Sequence, residues 1–331
     1  MFINQYEIDN YNEPFIIAEI GVNHNGDIKL AKRMIDGAKQ AGAHAVKFQT
    51  WTKNSLYSEE FLKDNDLFKK GLEDYSLTEK DYRELAEYCY KKDIIFCATP
   101  FSEKEVDLLV ELEVPFIKVA SMDVNNYPFL KYIGEKGLPI ILSTGFAHTW
   151  EIARAIQTIR DTGNEEITLL HCVSDYPPSI ENLNLKNIQY LMDIFDIPVG
   201  YSDHSKDIYP CLYAVSLGAC VIERHFTLDK GMEGWDHSIS SDIFEMSELV
   251  HRSSEIPIML GLFEREVSEE ELEKRKGFRR SVVALKDIKE GEILTKKNIG
   301  LKRPGIGIEP EHYEFMLGRK ATRNIRKDEI V

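Results

Sequence analysis

The sequence predicts an α/β protein, a (β/α)8 barrel followed by a small β-rich domain. Eight short apolar runs recur along the first 225 residues, and segments with an apolar residue at every third or fourth position separate them. Strands that are apolar on both faces are typical of a parallel sheet covered by helices. Eight such units in about 250 residues fit a closed barrel better than an open sheet. No G-x-G-x-x-G follows the first run, which disfavours a dinucleotide-binding fold.

The predicted elements follow one another in a regular order. The eight strands are expected at FIIAEIG (15–21), AVKFQT (45–50), IIFCAT (94–99), FIKVAS (116–121), PIILST (139–144), ITLLHCV (167–173), IPVGYSD (197–203) and ACVIERHF (219–226). One helix is expected over 28–43 with Asp27 as its N-cap, and another over 149–163 with Thr149 as its N-cap. A further helix is expected at about 242–260.

The alternation of strands and helices stops after this segment, and the change divides the chain. We predict a catalytic barrel over 1–262, a solvated linker over 263–280 and a second domain over 281–331. The last segment has short strand-like pieces and a turn at Glu290-Gly291. Because about 50 residues bury little apolar surface, this domain is expected to pack against another surface.

Charge and composition disfavour several classes of protein. The chain has 41 Lys and Arg against 56 Asp and Glu, a formal charge of −15, which argues against nucleic-acid binding through a general basic surface. Residues 281–331 are the exception, with eleven basic and eight acidic residues. No stretch approaches the ~18 apolar residues of a membrane helix. Five cysteines without C-x-x-C spacing and a start without a signal-peptide pattern favour the cytoplasm.

Polar side chains stand at the end of nearly every predicted strand. In a parallel barrel these carboxyl ends meet on one face, where barrel enzymes carry their active sites. The residues at these ends are Glu19, Lys47, Gln49, Thr99, Lys118, Ser121, Ser143, His171, Ser174, Ser202, His204, Glu223 and His225. The sequence therefore predicts an enzyme with a polar site at this face.

Two lysines lie inside otherwise apolar strands. A single such lysine can extend to the rim and pair with a carboxylate such as Glu19. Lys47 and Lys118 together favour a binding site for an anion, because ammonium groups supply charge and nearby hydroxyls supply directional donors. The hydroxyl side chains on neighbouring strands are Thr99, Ser121, Ser143 and Ser202. The same lysines also permit a Schiff-base aldolase, and this alternative stays open.

Two histidines end consecutive strands. His204 and His225, close to Asp203 and Glu223, favour a divalent metal held by neutral imidazoles. With so few protein ligands, positions for water and substrate stay free, which suits Lewis-acid catalysis.

Other polar and aromatic residues have less defined expectations. His24 is expected in a turn lining the site, and His171 in the barrel interior. Asp236, in GWDHS after the eighth strand, is a substrate contact, a group that supports other site residues, or an ordinary polar residue of a loop. Phe101 and Tyr176 are either walls of a pocket or packing residues.

The motifs, taken in order, resemble those of the bacterial sialic acid synthase family, whose products include N-acetylneuraminic, legionaminic and pseudaminic acids. The resemblance runs from about residue 15 to the C-terminus. Its motifs are FIIAEIGVNHNGD, AVKFQT, TPFS, FIKVAS, ILSTG, LLHCVSDYP, GYSDHS, CVIERHFTLDK and LKRPGIG. It implies a (β/α)8 barrel, a C-terminal antifreeze-like (SAF) domain and a domain-swapped homodimer in which the small domain caps the partner's barrel.

The resemblance also implies roles for individual residues. Phosphoenolpyruvate would be held through its phosphate and carboxylate by Lys47, Thr99, Lys118, Ser121, Ser143 and Ser202. His204 and His225 would bind Mn²⁺ or Mg²⁺, and Arg303 would reach the partner's site. The amino sugar would be contacted by Glu19, Gln49, Tyr176 and Asp236, with Phe101 beside them. Asp123 and Ser174 stand where neuraminate synthases commonly have Glu and Asn, in loops that contact the sugar, so the sugar itself is left open.

The implied reaction joins phosphoenolpyruvate, an N-acylated hexosamine and water to give a nine-carbon 3-deoxy-2-ulosonic acid and phosphate. The candidate sugars are N-acetylmannosamine and the 2,4-diacetamido-trideoxyhexoses. Three rivals remain: the metal-independent aldolase using Lys47 or Lys118, a non-catalytic sugar-binding protein, and a condensing enzyme for a phosphorylated aldose. The last should need additional basic residues for its second phosphate.

Overall fold

The computed structural model describes residues 1–52 and 55–331, with only the backbone of Leu67. The chain divides into two compact units, 1–261 and 262–331. Within the described residues, none of the helices is both long and apolar enough to cross a membrane.

The first unit is built on eight parallel strands in a nearly closed barrel. A short hairpin of β1 (Phe2–Ile3) and β2 (Tyr6–Glu7) precedes it. The barrel strands are β3 (Phe15–Gly21), β4 (Ala45–Gln49), β5 (Ile95–Thr99), β6 (Ile117–Val119), β7 (Ile140–Ser143), β8 (Ile167–Cys172), β9 (Val199–Asp203) and β10 (Val221–His225). Hydrogen-bonded neighbours follow the order β5-β4-β3-β10-β9-β8-β7-β6. Each strand overlaps one of the eight predicted apolar runs, and the predicted barrel is confirmed.

Helices cover the outer face of the barrel. The helices of this unit are α1 (Ile28–Ala41), α2 (Glu59–Lys63), α3 (Asp66–Tyr75), α4 (Glu79–Lys91), α5 (Glu103–Glu111), α6 (Tyr127–Gly134), α7 (Thr149–Arg160), α8 (Asn187–Phe195), α9 (Tyr209–Ser216) and α10 (Ile243–Leu260). Of these, α2 and α3 pack instead with Val22 and Trp51, which follow β3 and β4. Asp27 caps α1 as predicted, since its side chain accepts a hydrogen bond from the Lys29 amide. The prediction for α7 was one residue late: the N-cap is His148, and Thr149 is the first helical residue.

The interior of the barrel has an apolar lower part. Side chains of alternate strand residues point inward, and in the lower layers they form a cluster that Ile3 and Ile8 cover from the amino-terminal side. The inward-facing members are Phe15, Ile17, Ala45, Cys97, Phe116, Ile141, Leu170 and Val221. Because these strands continue with the same alternation, the next inward-facing positions on the carboxyl-terminal side form the floor of the site described below.

The second unit has a small core of its own. It contains α11 (Glu269–Phe278), α12 (Tyr313–Met316) and an antiparallel pair of β11 (Ser281–Ala284) and β12 (Ile299–Lys302). Its buried residues are Val282, Ala284, Ile288, Leu294, Ile299, Ala321 and Ile325. The charged segment expected as a linker contains α11, none of whose residues is buried. Ser268 caps this helix, and three glutamates occupy its first turn, where they complement the helix dipole.

Candidate active site

A polar cavity of about 190 Å³ opens at the carboxyl-terminal ends of the barrel strands. Almost every residue that the sequence predicts for the barrel site lines it. The lining residues are Glu19, Lys47, Gln49, Thr99, Phe101, Lys118, Ala120, Ser121, Met122, Ser143, Phe146, Cys172, Ser174, Tyr176, Ser202, His204, Glu223 and His225. Strands from all around the barrel therefore contribute to one site.

Strand register explains why these side chains meet. Glu19 on β3 is paired with Lys47 on β4 and with His225 on β10. On the next pair of strands, Glu223 is paired with Ser202. Because paired residues of adjacent parallel strands point to the same face, these side chains all project into the cavity.

Two lysines and two carboxylates form the base of the cavity. Lys47 Nζ lies 3.2 Å from Glu19 Oε1 and 3.6 Å from Glu223 Oε2, and Lys118 Nζ lies 3.7 Å from Glu223 Oε1. All four side chains are buried. A buried charge is tolerated when it is paired, and here Glu223 serves both lysines.

Hydroxyl and amide groups complete this cluster. Lys47 Nζ donates to Thr99 Oγ1 at 3.0 Å, and Lys118 Nζ donates to Ser143 Oγ at 2.6 Å. Ser202 Oγ donates to Glu223 Oε1 at 2.9 Å, and Gln49 Nε2 donates to Glu19 Oε1 at 2.9 Å. Glu19 Oε2 and Glu223 Oε2 accept no hydrogen bond from the described residues, although both are buried. These two oxygens can therefore still accept hydrogen bonds in the cavity.

Burial and the neighbouring charges shift the pKa values of these groups in different directions. Burial opposes the charged form of Lys47, but Glu19 and Glu223 outweigh it and raise its pKa. Burial lowers the pKa of Lys118, and the nearby ammonium of Lys47 adds to this effect. Burial opposes ionisation of Glu223, but Lys118 and Lys47 lower its pKa to about 2. Glu223 is therefore the ionised centre of the cluster at neutral pH.

The pKa of Glu223 gives a prediction about stability. Because its folded-state pKa is lowered from 4.5 to about 2, Glu223 stabilises the fold above pH ~4.5, and this contribution is lost as pH falls towards ~2. Glu223→Gln should cost about 3 kcal/mol of unfolding free energy at pH 7, since it leaves two buried ammonium groups without their shared partner. Thermal unfolding at a series of pH values measures this difference.

The gap in melting temperature between wild type and Glu223→Gln should be largest at pH 7 and shrink below pH ~4.5. Glu84→Gln is the matched control, because Glu84 pairs with Lys32 at the protein surface and should change stability by less than ~1 kcal/mol. A Glu223→Gln protein as stable as wild type at pH 7 would contradict the ion-pair cluster.

The two strand-end histidines lie together on one wall of the cavity. The ring centroids of His204 and His225 are 5.4 Å apart, and the ring of Tyr176 stands 4.0 Å from that of His204. His204 Nδ1 lies 2.9 Å from the carbonyl oxygen of Val173. Because a carbonyl only accepts, Nδ1 carries a proton, and in the neutral ring Nε2 then has the lone pair.

The surroundings of these histidines fit a metal bound through two imidazoles. Burial lowers the pKa of His225 and so favours the neutral ring that a metal requires. Its Nδ1 atom is buried without a hydrogen bond and lies 3.6 Å from Asp236 Oδ2. Burial opposes the charged form of His204, but Cys172 and the Val173 carbonyl outweigh burial and raise its pKa, so that a metal would have to displace a proton from this ring. Over residues 1–52 and 55–331, no three His, Cys, Asp or Glu side chains form a metal site. The chain therefore offers two imidazoles, with Asp236 beside one of them.

Several predicted residues lie elsewhere. Asp123 does not line the cavity, and its carboxylate accepts a hydrogen bond from Asn126 Nδ2 at 3.0 Å. His24 is buried beside Phe48 and does not line the cavity either, contrary to expectation. His171 was expected inside the barrel but lies on the helix side. Its neighbour Cys172 faces the cavity, and alternation turns His171 towards the Leu183 carbonyl, 2.8 Å away.

The remaining predicted residue belongs to the second unit. Arg303 is exposed there, with its guanidinium 5.1 Å from the centre of the Phe278 ring. Sequence reasoning assigned no separate role to Glu223 as the shared partner of both lysines. The signal was present, since a carboxylate interrupts the apolar run ACVIERHF.

A barrel with such a cavity at the carboxyl ends of its strands has the architecture of a barrel enzyme. Comparison with known proteins then identifies the family. The NeuB family model matches residues 34–265, and the SAF domain model matches residues 279–331. The chain belongs to the NeuB family. The sequence-based assignments of family, of barrel with C-terminal SAF domain and of an enzyme of the synthase type are confirmed.

Relatives of this chain are named as synthases of three related acids. The N,N'-diacetyllegionaminic acid synthase of Campylobacter jejuni is 42% identical over 96% of this chain and 98% of its own length. The pseudaminic acid synthase of the same species is 35% identical over 97% of this chain and 96% of its own length. The crystal structure of N-acetylneuraminic acid synthetase from Leptospira borgpetersenii superposes with a TM-score of 0.77 at 38% identity, covering 83% of this chain and 94% of that one.

Proposed function

We propose that this protein condenses phosphoenolpyruvate with an open-chain N-acylated hexosamine and water, releasing a nine-carbon 3-deoxy-2-ulosonic acid and phosphate. The observation that carries the proposal is the meeting of two lysines, two carboxylates and two imidazoles in one cavity. Among the candidate sugars we favour the 2,4-diacetamido-trideoxyhexose that precedes legionaminic acid, because the identity to the legionaminic acid synthase exceeds that to the pseudaminic acid synthase.

In the proposed mechanism, lysines and hydroxyls hold the phosphate and carboxylate of phosphoenolpyruvate. Lys47 and Lys118 supply the charge. Ser143 and Thr99 already accept hydrogen bonds from these lysines, so their hydroxyl protons are free to be donated to an anion. The other serine hydroxyls that line the cavity are those of Ser121, Ser174 and Ser202.

The carboxylates suit the second part of the reaction. Attack of phosphoenolpyruvate C3 on the sugar aldehyde leaves positive charge at C2. Glu19 and Glu223 each have a buried oxygen that accepts no hydrogen bond from the described residues, and such fixed negative charge stabilises a developing cation without reorganisation. Water then adds at C2, and the tetrahedral carbon expels phosphate. Gln49, Tyr176 and Asp236 would orient the sugar, with Phe101 beside them, and Asp123 directly follows the lining residue Met122 in the chain.

The charge balance of the site indicates what else is needed. Glu19 and Glu223 offset the two lysines, yet phosphoenolpyruvate brings a phosphate and a carboxylate into the same cavity. We propose that His204 and His225 hold Mn²⁺ or Mg²⁺, which would supply Lewis acidity towards the sugar aldehyde. We also propose that Arg303 of a second subunit adds charge, in a domain-swapped homodimer. Five buried cysteines, all with free thiols, support a reducing compartment such as the cytoplasm.

A phosphate-release assay tests the proposed function. Phosphoenolpyruvate and Mn²⁺ would be combined in turn with N-acetylmannosamine and with the two 2,4-diacetamido-trideoxyhexoses that precede legionaminic and pseudaminic acids. We expect one phosphate per sugar consumed, fastest with the legionaminic precursor. Phosphate release from none of the three would contradict the proposal and favour a non-catalytic sugar-binding protein.

The lowered pKa of Lys118 makes a Schiff-base aldolase the second candidate, because a lowered pKa increases the unprotonated fraction of the amine, which is the form that attacks a carbonyl. We expect an anion-binding role instead, since Lys118 Nζ already donates to Ser143 Oγ at 2.6 Å and to the Val119 carbonyl at 3.0 Å. Lys118→Ala should raise KM for phosphoenolpyruvate by about ten- to a hundredfold. Borohydride reduction in the presence of pyruvate, or of phosphoenolpyruvate and sugar, should leave the protein mass unchanged.

Lys131→Ala, which alters an exposed lysine, is the control and should leave KM unchanged. A reduced adduct in wild type that is lost in Lys118→Ala would establish the aldolase and overturn the proposed role of Lys118.

A further inference from the structure

Each of the two candidate metal-binding histidines follows a buried charged residue in the chain. Asp203 precedes His204, and Arg224 precedes His225; both charged residues are almost fully buried. They lie opposite each other on β9 and β10, and Arg224 Nη1 forms an ion pair with Asp203 Oδ2. Since neighbouring strand residues point to opposite faces, the ion pair lies behind the wall that carries the imidazoles.

The contacts of Asp203 place this ion pair between the sheet and the helices. Its carboxylate accepts hydrogen bonds from Tyr201 Oη at 2.9 Å and from Cys211 Sγ of α9 at 3.2 Å. It also accepts from the amide and the hydroxyl of Ser205, at 3.0 Å and 2.9 Å. The Asp203 carboxylate therefore ties Ser205 to Asp203, and these two residues flank His204.

Arg224 links the backbone at Ser205 to the segment beside His225. Its Nη1 atom donates to the Ser205 carbonyl at 3.1 Å, and its Nε atom donates to Ser241 Oγ at 2.5 Å. The Ser241 amide in turn donates to the His225 carbonyl at 2.8 Å. One guanidinium thus connects the backbone around His204 with the backbone around His225.

This linkage has more consequence for geometry than for stability. A buried ion pair adds little net stability, because desolvation offsets the attraction. Its arrangement is nevertheless restricted, since moving either partner would cost buried groups the contacts they now have, and Arg224 Nη2 already has no hydrogen bond within the described residues. The interlocked donors and acceptors therefore restrict how far the two strand ends can separate or slide.

We propose that Arg224, together with Asp203, is a positioning residue that fixes the separation of the His204 and His225 imidazoles and so sets the affinity for a divalent cation. This inference rests on the proposed function, which places a metal on these histidines. Groups that orient metal ligands typically change metal affinity by about 10- to 100-fold when they are removed.

The test compares Mn²⁺ binding with phosphoenolpyruvate binding, each measured alone. Arg224→Met combined with Asp203→Leu removes both charges and leaves none unpaired. Free Mn²⁺ is followed by electron paramagnetic resonance without substrate, and phosphoenolpyruvate binding by calorimetry without metal. We expect Mn²⁺ affinity to fall about 10- to 100-fold, while phosphoenolpyruvate affinity changes less than about threefold, because its lysines lie on β4 and β6.

A milder variant covers the case in which the double variant does not fold. Ser241→Ala removes only the acceptor of Arg224 Nε and leaves the ion pair in place. Loss of one such hydrogen bond should weaken Mn²⁺ binding by about three- to tenfold. Leu109→Ala, a buried change on α5 away from these contacts, controls for a general loss of stability.

The outcomes separate the inference from the proposed function. Unchanged Mn²⁺ affinity in either folded variant would overturn the positioning role and leave the proposed function intact. Equal losses of Mn²⁺ and phosphoenolpyruvate affinity would show a general distortion and would also overturn it. If wild type itself binds no Mn²⁺, the proposed metal site fails, and the positioning role fails with it.

Discussion

Replacing His225 with asparagine is expected to lower kcat for phosphate release by about two to three orders of magnitude. His225 is one of the two imidazoles that the described residues place on the cavity wall, 5.4 Å from His204 between ring centroids. A metal bound there would lose half of its protein ligands, and metal-borne stabilisation of a transition state is worth several kcal/mol. The loss should appear mainly in kcat, because the lysines proposed to bind phosphoenolpyruvate are unchanged.

His44→Asn is the matched control for this substitution. His44 lies just before β4, at the opposite end of the barrel, where its Nδ1 atom accepts a hydrogen bond from the Ile16 amide at 2.9 Å. An asparagine oxygen can take over that contact, so activity should stay within about twofold of wild type. Exhaustive chelation of wild type should reproduce the defect of His225→Asn, and Mn²⁺ should reverse it only in wild type. Full activity of chelated wild type would contradict the two-histidine metal site.

The barrel could be predicted from the sequence because its main signal is local. Each strand is a short apolar run, and helix-period segments follow, so the eight units could be counted without knowing their contacts. The same reasoning placed Lys47, Lys118 and His225 at one face, because all parallel strands end there. These predictions needed only the order of the strands along the chain. The barrel then brings the strand ends, with their side chains, into one site.

The errors concern side chains whose direction depends on a shift of a single residue in strand alternation or strand register. His171 and Cys172 are neighbours, yet only Cys172 faces the cavity. Both residues are near the end of β8, and the sequence does not show which of the two alternating sets of side chains points into the barrel. To predict that Glu223 pairs with both lysines, one would need to know the register between β9 and β10 and the position of Lys118 on β6. Such contacts across a closed barrel leave no local pattern.

The first part of the second unit shows a different reason why an element was not predicted. Residues 269–278 form α11, although the charged run was expected to be a solvated linker. None of its residues is buried, so there is no apolar stripe to reveal a helical period. The capping serine and the glutamates of its first turn were the remaining evidence for a helix.

Arg303→Ala is expected to reduce activity strongly, because Arg303 is proposed to complete the partner's site. Arg303 is exposed, and among the described residues no carboxylate pairs with it. The adjacent Lys302, in contrast, forms an ion pair with Asp328. Lys302→Ala is therefore the matched control: it removes a neighbouring cation that already has a partner, and it should leave activity near that of wild type.

Subunit exchange distinguishes an arginine that acts in the partner's barrel from one that acts in its own. Arg303→Ala and His225→Asn proteins, each nearly inactive alone, would be mixed and allowed to exchange subunits. If the arginine acts across the dimer, each mixed dimer has one site that combines an intact barrel with an intact arginine. About half of the dimers are mixed and each has one of two sites restored, so about a quarter of wild-type activity should return. If Arg303 serves its own barrel, both sites of every mixed dimer carry one defect, and activity stays at the level of the separate variants after exchange has been verified by mass measurement.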